Sequence, residues 1–177
     1  QLRLDAGRDI TTQGKVLAIG DAQATSVGAQ TYGDAVHVGG ALTLTAGQGA
    51  TNTGISVAQD VQALGGITIQ GGRGAIQVGG PLLTPGAVVL GAQGSIAVGG
   101  NVQAQDIQAT STGASITLGT AGNPSGSRID TQHNLTLHAA TDATVNGQTT
   151  VAANLNAVSD SGSVRMMGPL GVQGSTL

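Results

Sequence analysis

The chain of 177 residues has no cysteine, no phenylalanine and no tryptophan, and Tyr32 is its single aromatic residue. Without cysteine it forms neither disulfides nor thiolate metal sites. Large aromatic side chains normally fill a thick globular core. The core must therefore be thin, because valine, isoleucine, leucine and alanine have to build it.

Charge is scarce as well. Charged residues make up 8% of the chain, every acidic residue is an aspartate, and Lys15 is the single lysine. Glutamate and lysine are common in exposed helices, so their scarcity argues against helix. The net charge of -3 and the lack of any basic run exclude an electrostatic nucleic-acid partner. No apolar run approaches the roughly 20 residues needed to span a bilayer, so we expect no membrane-spanning segment.

The chain is rich in glycine, and its apolar residues recur at a nearly fixed spacing. "GAIQVGGP" at 74–81 returns as "GSIAVGGN" at 94–101. Apolar pairs separated by one residue return in the same way along most of the chain. The aligned pairs are Leu17/Ile19, Val36/Val38, Ile55/Val57, Ile76/Val78, Ile96/Val98, Ile116/Leu118, Leu135/Leu137 and Leu155/Ala157. Their period of about 20 residues is typical of a solenoid.

Each repeat contains further short apolar pieces that alternate with period two, which predicts about three short strands per coil. Equivalent strands of successive coils can then stack in parallel, about 4.8 Å apart. The sequence thus predicts an all-β fold, a parallel β-helix of eight to nine coils, as one segment over 1–177. We interpret Leu2, Leu4 and Ile10 as later strands of an incomplete first coil. The segment 119–127 is predicted to be a turn or protruding loop, and 165–177 either another coil or a frayed end.

Several segments resemble filamentous haemagglutinin-type repeats, among them "LDAGRDI" (4–10), "GGALTLTAGQG" (39–49), "GGITIQGG" (65–72) and "HNLTLHAATD" (133–142). The resemblance covers nearly the whole chain. It implies a right-handed parallel β-helix, a solenoid with coils of about 20 residues, from the shaft of a large bacterial exoprotein. Such proteins, which include adhesins and effectors of contact-dependent growth inhibition, leave the cell through an outer-membrane two-partner secretion transporter. The resemblance thus implies a secreted, cell-surface location.

Two family motifs are altered in this chain. The secretion domain of these proteins carries Asn-Pro-Asn, whereas this chain has Asn123-Pro124-Ser125. We therefore interpret the chain as an internal fragment of the shaft. Some adhesins of the group carry Arg-Gly-Asp, whereas this chain has Gly7-Arg8-Asp9, which gives no basis for integrin binding.

Parallel β-helices also occur among polysaccharide lyases and hydrolases, whose sites need acids at matching positions of adjacent coils. Asp60 and Asp160 share an offset within their repeats but lie five coils apart, while Asp106, Asp130 and Asp142 have different offsets. We interpret these residues as solvated turn residues or caps. The prediction is that the chain is not an enzyme and has no catalytic residue.

The residue types that bind metals meet locally only at Asp130, His133, His138 and Asp142. Strand alternation predicts that His138 points outward and that His133 lies at a corner, so we expect neither a metal site nor a cofactor. His37, between two inward valines, should be exposed.

Two further patterns predict no site. "GGRG" (71–74) is followed by no helix and lacks the lysine and hydroxyl of a phosphate loop, so we expect a corner. It also lacks the aspartate of a Ca²⁺-binding repeat. Thr43, Thr45 and Thr68 could belong to a flat ice-binding array, but equivalent positions in other coils hold glutamine, alanine or valine.

The sequence predicts a structural shaft that projects binding or effector regions and contributes to attachment. One alternative is direct binding of a glycan or of a host-cell or bacterial surface receptor by one face or by the 119–127 loop, for which only Tyr32 supplies an aromatic side chain. A carbohydrate-active enzyme is the third hypothesis.

A β-helix has open strand edges at both ends, and open edges pair with other chains. We predict that the polypeptide 1–177 stacks end to end at millimolar concentration unless flanking sequence caps it. Sedimentation velocity checks this, and a purely monomeric profile at that concentration would contradict it.

Overall fold

The structure is a computed structural model that describes residues 1–47, 53–123 and 126–174, and every regular element in them is a β-strand. The strands form three parallel sheets of eight strands each. Sheet A consists of Leu2–Ala6 (β1), Ala22–Ser26 (β4), Leu42–Thr45 (β7), Ile67–Gln70 (β10), Val88–Ala92 (β13), Ile107–Ser111 (β16), Leu135–Ala139 (β19) and Leu155–Ser159 (β22).

The other two sheets have shorter strands. Sheet B consists of Ile10–Thr12 (β2), Gln30–Tyr32 (β5), Ile55–Val57 (β8), Ile76–Val78 (β11), Ile96–Val98 (β14), Ile116–Leu118 (β17), Ala143–Val145 (β20) and Val164–Met166 (β23). Sheet C consists of Val16–Ala18 (β3), Val36–Val38 (β6), Val61–Ala63 (β9), Leu82–Leu83 (β12), Val102–Ala104 (β15), Arg128–Thr131 (β18), Gln148–Val151 (β21) and Leu170–Val172 (β24).

The chain runs through sheets A, B and C in turn and returns to A, so three consecutive strands make one coil. Coil 1 is β1–β3 and coil 8 is β22–β24. Each strand pairs in parallel with the strand three places later, for example Ile76 with Ile96 and Ile96 with Ile116. The predicted all-β parallel solenoid is confirmed, and so is its repeat length of about 20 residues.

The inward side chains form one continuous aliphatic core. Alternate residues of the strands in coils 2 to 7 are buried, such as Ile67 and Ile69 in sheet A and Ile76 and Val78 in sheet B. Stacking places the same kind of side chain above and below each of them, which produces the columns that the periodicity predicts. Burying one such side chain contributes roughly 1.5–3 kcal/mol.

The predicted inward pair Leu17/Ile19 is wrong. Val16 and Ala18 pack against the core, whereas Leu17 is 68% and Ile19 99% exposed. The shift by one residue turns the more hydrophobic pair outward, because side chains alternate across a strand.

The aligned series of pairs also crosses between sheets. Val36 belongs to sheet C and pairs with Val61, not with Ile55. The partner of Ile55 in the preceding coil is Gln30, which is fully buried and lies more than one repeat length earlier in the chain. Leu135 likewise belongs to sheet A rather than continuing from Ile116 in sheet B. Because coils 3 and 6 have longer connections, pairs that are aligned at a uniform spacing fall in different sheets before and after these coils.

The two ends are more regular than predicted. Leu2, Leu4 and Ile10 lie in the first and second strands of a complete coil 1, which β3 finishes. Near the other end, Val164–Met166 and Leu170–Val172 continue sheets B and C in register. The segment 165–174 therefore belongs to coil 8, and 175–177 lie outside the described residues.

The connection 119–127 carries no strand among its described residues, as predicted, and 124–125 lie outside them. It joins β17 in sheet B to β18 in sheet C. Thr120 donates its backbone N–H to the Ser127 hydroxyl over 2.8 Å, which draws the two ends of the loop together. Coil 6 therefore keeps its sheet positions despite the insertion.

Glycine is required at the corners because adjacent coils approach closely there. A Cβ atom on Gly79 would lie 2.3 Å from the carbonyl oxygen of Ala58 in the coil below. In the segment 71–74, Gly72 has φ +57, a left-handed conformation that favours glycine. The predicted corner at "GGRG" is confirmed.

The structure predicts opposite outcomes for two substitutions of similar size. Ile76→Ala should cost about 2–5 kcal/mol of unfolding free energy, because Ile76 is fully buried and its loss leaves a cavity. Leu17→Ala, the matched control, should change it by less than about 0.5 kcal/mol. Urea denaturation followed by circular dichroism measures both. Equal losses would contradict the assignment of the two side chains to the core and the surface.

Candidate functional site

All three histidines pair with an aspartate of an adjacent coil. His37 Nε2 lies 2.6 Å from Asp60 Oδ2, and His138 Nε2 lies 2.9 Å from Asp160 Oδ1. The third pair joins His133 Nδ1 to Asp106 Oδ2 over a longer distance of 3.4 Å. Each pair therefore links two neighbouring turns of the solenoid on its outer surface.

The sequence placed these residues correctly on the surface but did not find their partners. His138 is about half exposed, and His133 lies at the corner before β19, with a similar exposure. His37 points outward, as its neighbouring inward valines require, but its side chain is only 27% exposed because of the contact with Asp60. The predicted outward position of His37 is therefore confirmed, but its side chain is only partly exposed.

Hydrogen bonds shift the pKa of two of these aspartates. Partial burial raises the pKa of Asp60, but the hydrogen bond and charge of His37 and the amide of Gln62 outweigh this and lower it below its ordinary value. Burial of Asp106 is similarly outweighed by the backbone N–H and side-chain amide of Asn134. Both carboxylates are thus held in the ionised form.

Other aspartates and asparagines cap the next coil. Asp9 and Asp21 accept backbone hydrogen bonds from Ala29 and Ala41 over 2.7 and 2.9 Å. Asp142 accepts the N–H of Ser163 over 2.9 Å in the same manner. Each of these aspartates lies directly before a strand. Its carboxylate accepts the N–H of the residue that lies directly before the paired strand in the next coil. These residues therefore have a structural role at the corners.

Asp130, His133, His138 and Asp142, which lie near one another in sequence, do not converge on one point. Asp130 pairs with Arg128, Asp142 caps Ser163, and the two histidines contact Asp106 and Asp160. Within 1–47, 53–123 and 126–174 there is no group of three histidine or acidic residues that could hold a metal ion. One oxygen of Asp130 is buried without a hydrogen-bond partner in the described part of the chain.

Tyr32 cannot serve an external ligand. Its side chain is 2% exposed, and its hydroxyl donates to the buried Gln30 side chain over 2.9 Å. Gln30 in turn donates to the carbonyls of Ala24 and Thr45. Burial raises the pKa of the Tyr32 phenol. This internal polar cluster replaces an aliphatic pair in coil 2, and it removes the one aromatic side chain that a surface site could have used.

The outer face of sheet A carries threonines in an interrupted array. Thr43 pairs with Thr68, but the neighbours of this column are Gln23 on one side and Val89 on the other. Thr45 similarly pairs with Gln70. The interruption expected from the sequence is therefore present in the structure.

An open groove with a volume of about 670 Å³ lies on sheet C. Exposed leucine and isoleucine side chains of coils 1 and 3 line it, together with Leu83 and Pro85 of coil 4. His37 and Gln62 lie between them, so the histidine of one of the three histidine–aspartate pairs lines the groove. Sequence analysis missed this groove, because it had placed Leu17 and Ile19 in the core.

The chain matches no protein-family model, no curated protein and no solved structure. No helix in the described residues is long and apolar enough to cross a membrane.

The hydrogen-bonded carboxylates predict a loss of stability in acid. Because the pKa of Asp106 is lower in the folded chain than the unfolded value of about 3.9, its contribution is present above that pH and lost as the pH falls through the folded pKa. Asp106→Asn keeps a hydrogen-bond acceptor but loses the charge. We expect this variant to lose less unfolding free energy than the wild type as the pH falls, by a difference of less than about 1 kcal/mol.

Urea midpoints between pH 6 and pH 2.5 measure this effect. Asp5→Asn is the control, since it removes one charge whose partner among the described residues is the exposed Arg3 of its own strand and not a residue of an adjacent coil. If the urea midpoint of Asp106→Asn fell with pH as steeply as that of the wild type, the hydrogen bonds to Asn134 would not be what holds this carboxylate ionised.

Proposed function

We propose that the chain is a structural shaft segment of a secreted bacterial surface adhesin similar to filamentous haemagglutinin. In this role it holds binding or effector regions of a longer exoprotein away from the cell and so contributes to attachment. The observation that carries the proposal is the unbroken, in-register stack of eight coils around one aliphatic core. At about 4.8 Å per coil this gives a rod roughly 40 Å long.

The surface supports a mechanical role. Most polar side chains with a described partner bond to the adjacent coil, as Asp9, Asp21 and Asp142 do, rather than converging on one point. Load along the rod would be shared by three parallel ladders of backbone hydrogen bonds. The proposal places the protein on the bacterial surface or in the medium, after passage through an outer-membrane two-partner secretion transporter.

Direct binding of a glycan or surface receptor is the second candidate. The 119–127 loop favours it, because its described residues carry no strand and residues 120–123 are exposed. The burial of Tyr32 counts against it, since aromatic faces are common anchors in binding sites. A carbohydrate-active enzyme has less support, because each aspartate that the sequence singled out contacts a separate partner.

Binding of the purified segment to a glycan array and to host cells, with its fold checked by circular dichroism, separates the first two candidates. The shaft proposal predicts a folded β-protein that binds neither. Specific binding by the folded segment would contradict a purely mechanical role and move the adhesive function into these coils. Gln77→Asp on sheet B and Gln105→Asp beside sheet C, both exposed, then show which face binds.

A further inference from the structure

The outer face of sheet C differs from the outer faces of the other two sheets. Outward positions of sheet B are mainly hydroxyl and amide side chains, such as Thr31, Ser56 and Gln77. In coils 1 to 4, five apolar residues lie on or just after the strands of sheet C and line one groove. We call these five residues, together with the glycine among them, the apolar face. Its members are Leu17, Ile19, Gly39, Leu64, Leu83 and Pro85.

Three large side chains of the apolar face are strongly exposed. Ile19 is 99%, Leu64 70% and Leu17 68% exposed. A contiguous exposed apolar patch marks an interaction surface, whereas isolated apolar residues do not. The three residues share one groove, so they form such a patch.

The apolar face consists of two columns along the rod axis. In the first column Leu17 stacks below His37 and Gln62 below Leu83. In the second column, which lies just beyond the strands, Ile19, Gly39, Leu64 and Pro85 follow in coils 1 to 4. Because Gly39 has no side chain, a gap in this column separates Ile19 from Leu64, whose backbone positions are two coil spacings, about 10 Å, apart.

We propose that this face binds the same face of a second copy of the chain, with the two rods antiparallel. A two-fold axis that runs along the strand direction between coils 2 and 3 places coil 1 opposite coil 4 and coil 2 opposite coil 3. Leu64 of each copy then enters the gap at Gly39 of the other. The same operation sets Ile19 against Pro85 and Leu17 against Leu83, so the patch is complementary to itself.

A parallel pair of rods fits less well. A two-fold axis along the rods would set each coil against its own copy and exchange the two columns. Leu64 would then meet the polar Gln62, and the gap at Gly39 would meet His37. The antiparallel arrangement is therefore the one that covers every apolar side chain of the face with another apolar group or with the glycine gap.

Charge does not oppose this pairing. The titratable groups at the centre of the face are His37 and Asp60, which hydrogen-bond to each other over 2.6 Å. Gln62 donates to the same carboxylate over 2.8 Å, and the neighbouring outward residues Leu17 and Leu83 are uncharged. Among the described residues of this face, no carboxylate or cation would be buried without a partner.

The size of the face sets the strength of the contact. Four coils at about 4.8 Å, each crossed by five residues of about 3.3 Å, cover roughly 300 Å² per copy. Stable interfaces bury about 800 Å² per partner, so the pair should be transient. The proposal concerns self-association and does not depend on the proposed shaft function.

Sedimentation equilibrium of the chain over a range of concentrations tests the pairing. Leu64→Asp and Ile19→Asp should each raise the dissociation constant of the dimer about tenfold or more. Both positions are exposed, so the variants should keep the wild-type circular dichroism spectrum. The control Gln77→Asp adds the same charge to coil 4 on sheet B and should leave the dimer unchanged. Equal weakening by the control, or the absence of any dimer, would overturn the proposal.

A distance measurement separates this pair from the other modes of association. A spin label at Gln105→Cys, exposed beside sheet C in coil 5, lies two and a half coil spacings from the proposed axis. Antiparallel pairing predicts a label separation of about 25 Å, parallel pairing about 10 Å, and end-to-end stacking of eight coils about 38 Å. A dominant distance at the antiparallel value that Leu64→Asp removes would support the proposal. Either of the other two distances alone would overturn it.

Discussion

The backbone hydrogen bonds between successive coils are the interaction on which this molecule depends. A strand as short as these has no stability of its own, and its N–H and C=O groups can be satisfied only by the coil above and the coil below. The ladder extends to the corners, where Leu82 donates to Asn101 and Ile96 to Ser115 over 2.9 and 3.0 Å. Because each coil depends on its neighbours, the side chains must repeat at matching positions, which explains the aliphatic columns and the thin core without aromatic residues.

The same constraint explains where the chain tolerates variation. Gln30 pairs with Ile55 and Ile116 with Ala143, although both steps are longer than the usual repeat. The extra residues lie in the connections, so the strands on either side keep their register. Corners that stay tight use glycine where a Cβ atom would meet the coil below, and aspartate or asparagine where an N–H needs an acceptor. A rod of this kind can present loops and surface patches without changing its core.

The sequence was sufficient to predict strands, parallel stacking and the repeat length, because alternation and period survive in nearly every coil. Its phase was not predicted correctly. All three sheets contain apolar-x-apolar pairs. An alignment of these pairs at a uniform spacing therefore passes from a strand of sheet C to one of sheet B after Val38, and from sheet B to sheet A after Leu118. The buried Gln30 and Tyr32 do not look like a core pair, and Leu17 and Ile19 do. The histidine–aspartate pairs were missed for a different reason, because the two members of each pair lie in adjacent coils and are far apart along the chain.

The register across the longest insertion is the most direct test of this account, and the lack of cysteine makes it simple to measure. Thr117 and Thr144 are outward register partners in sheet B, so their Cα atoms are within disulfide range. The double variant Thr117→Cys/Thr144→Cys should form an intramolecular disulfide under mild oxidation. A uniform repeat without the insertion would instead place Thr117 beside Thr136. Cross-linking of Thr117→Cys/Thr136→Cys, without cross-linking of the first pair, would contradict the three-sheet stack.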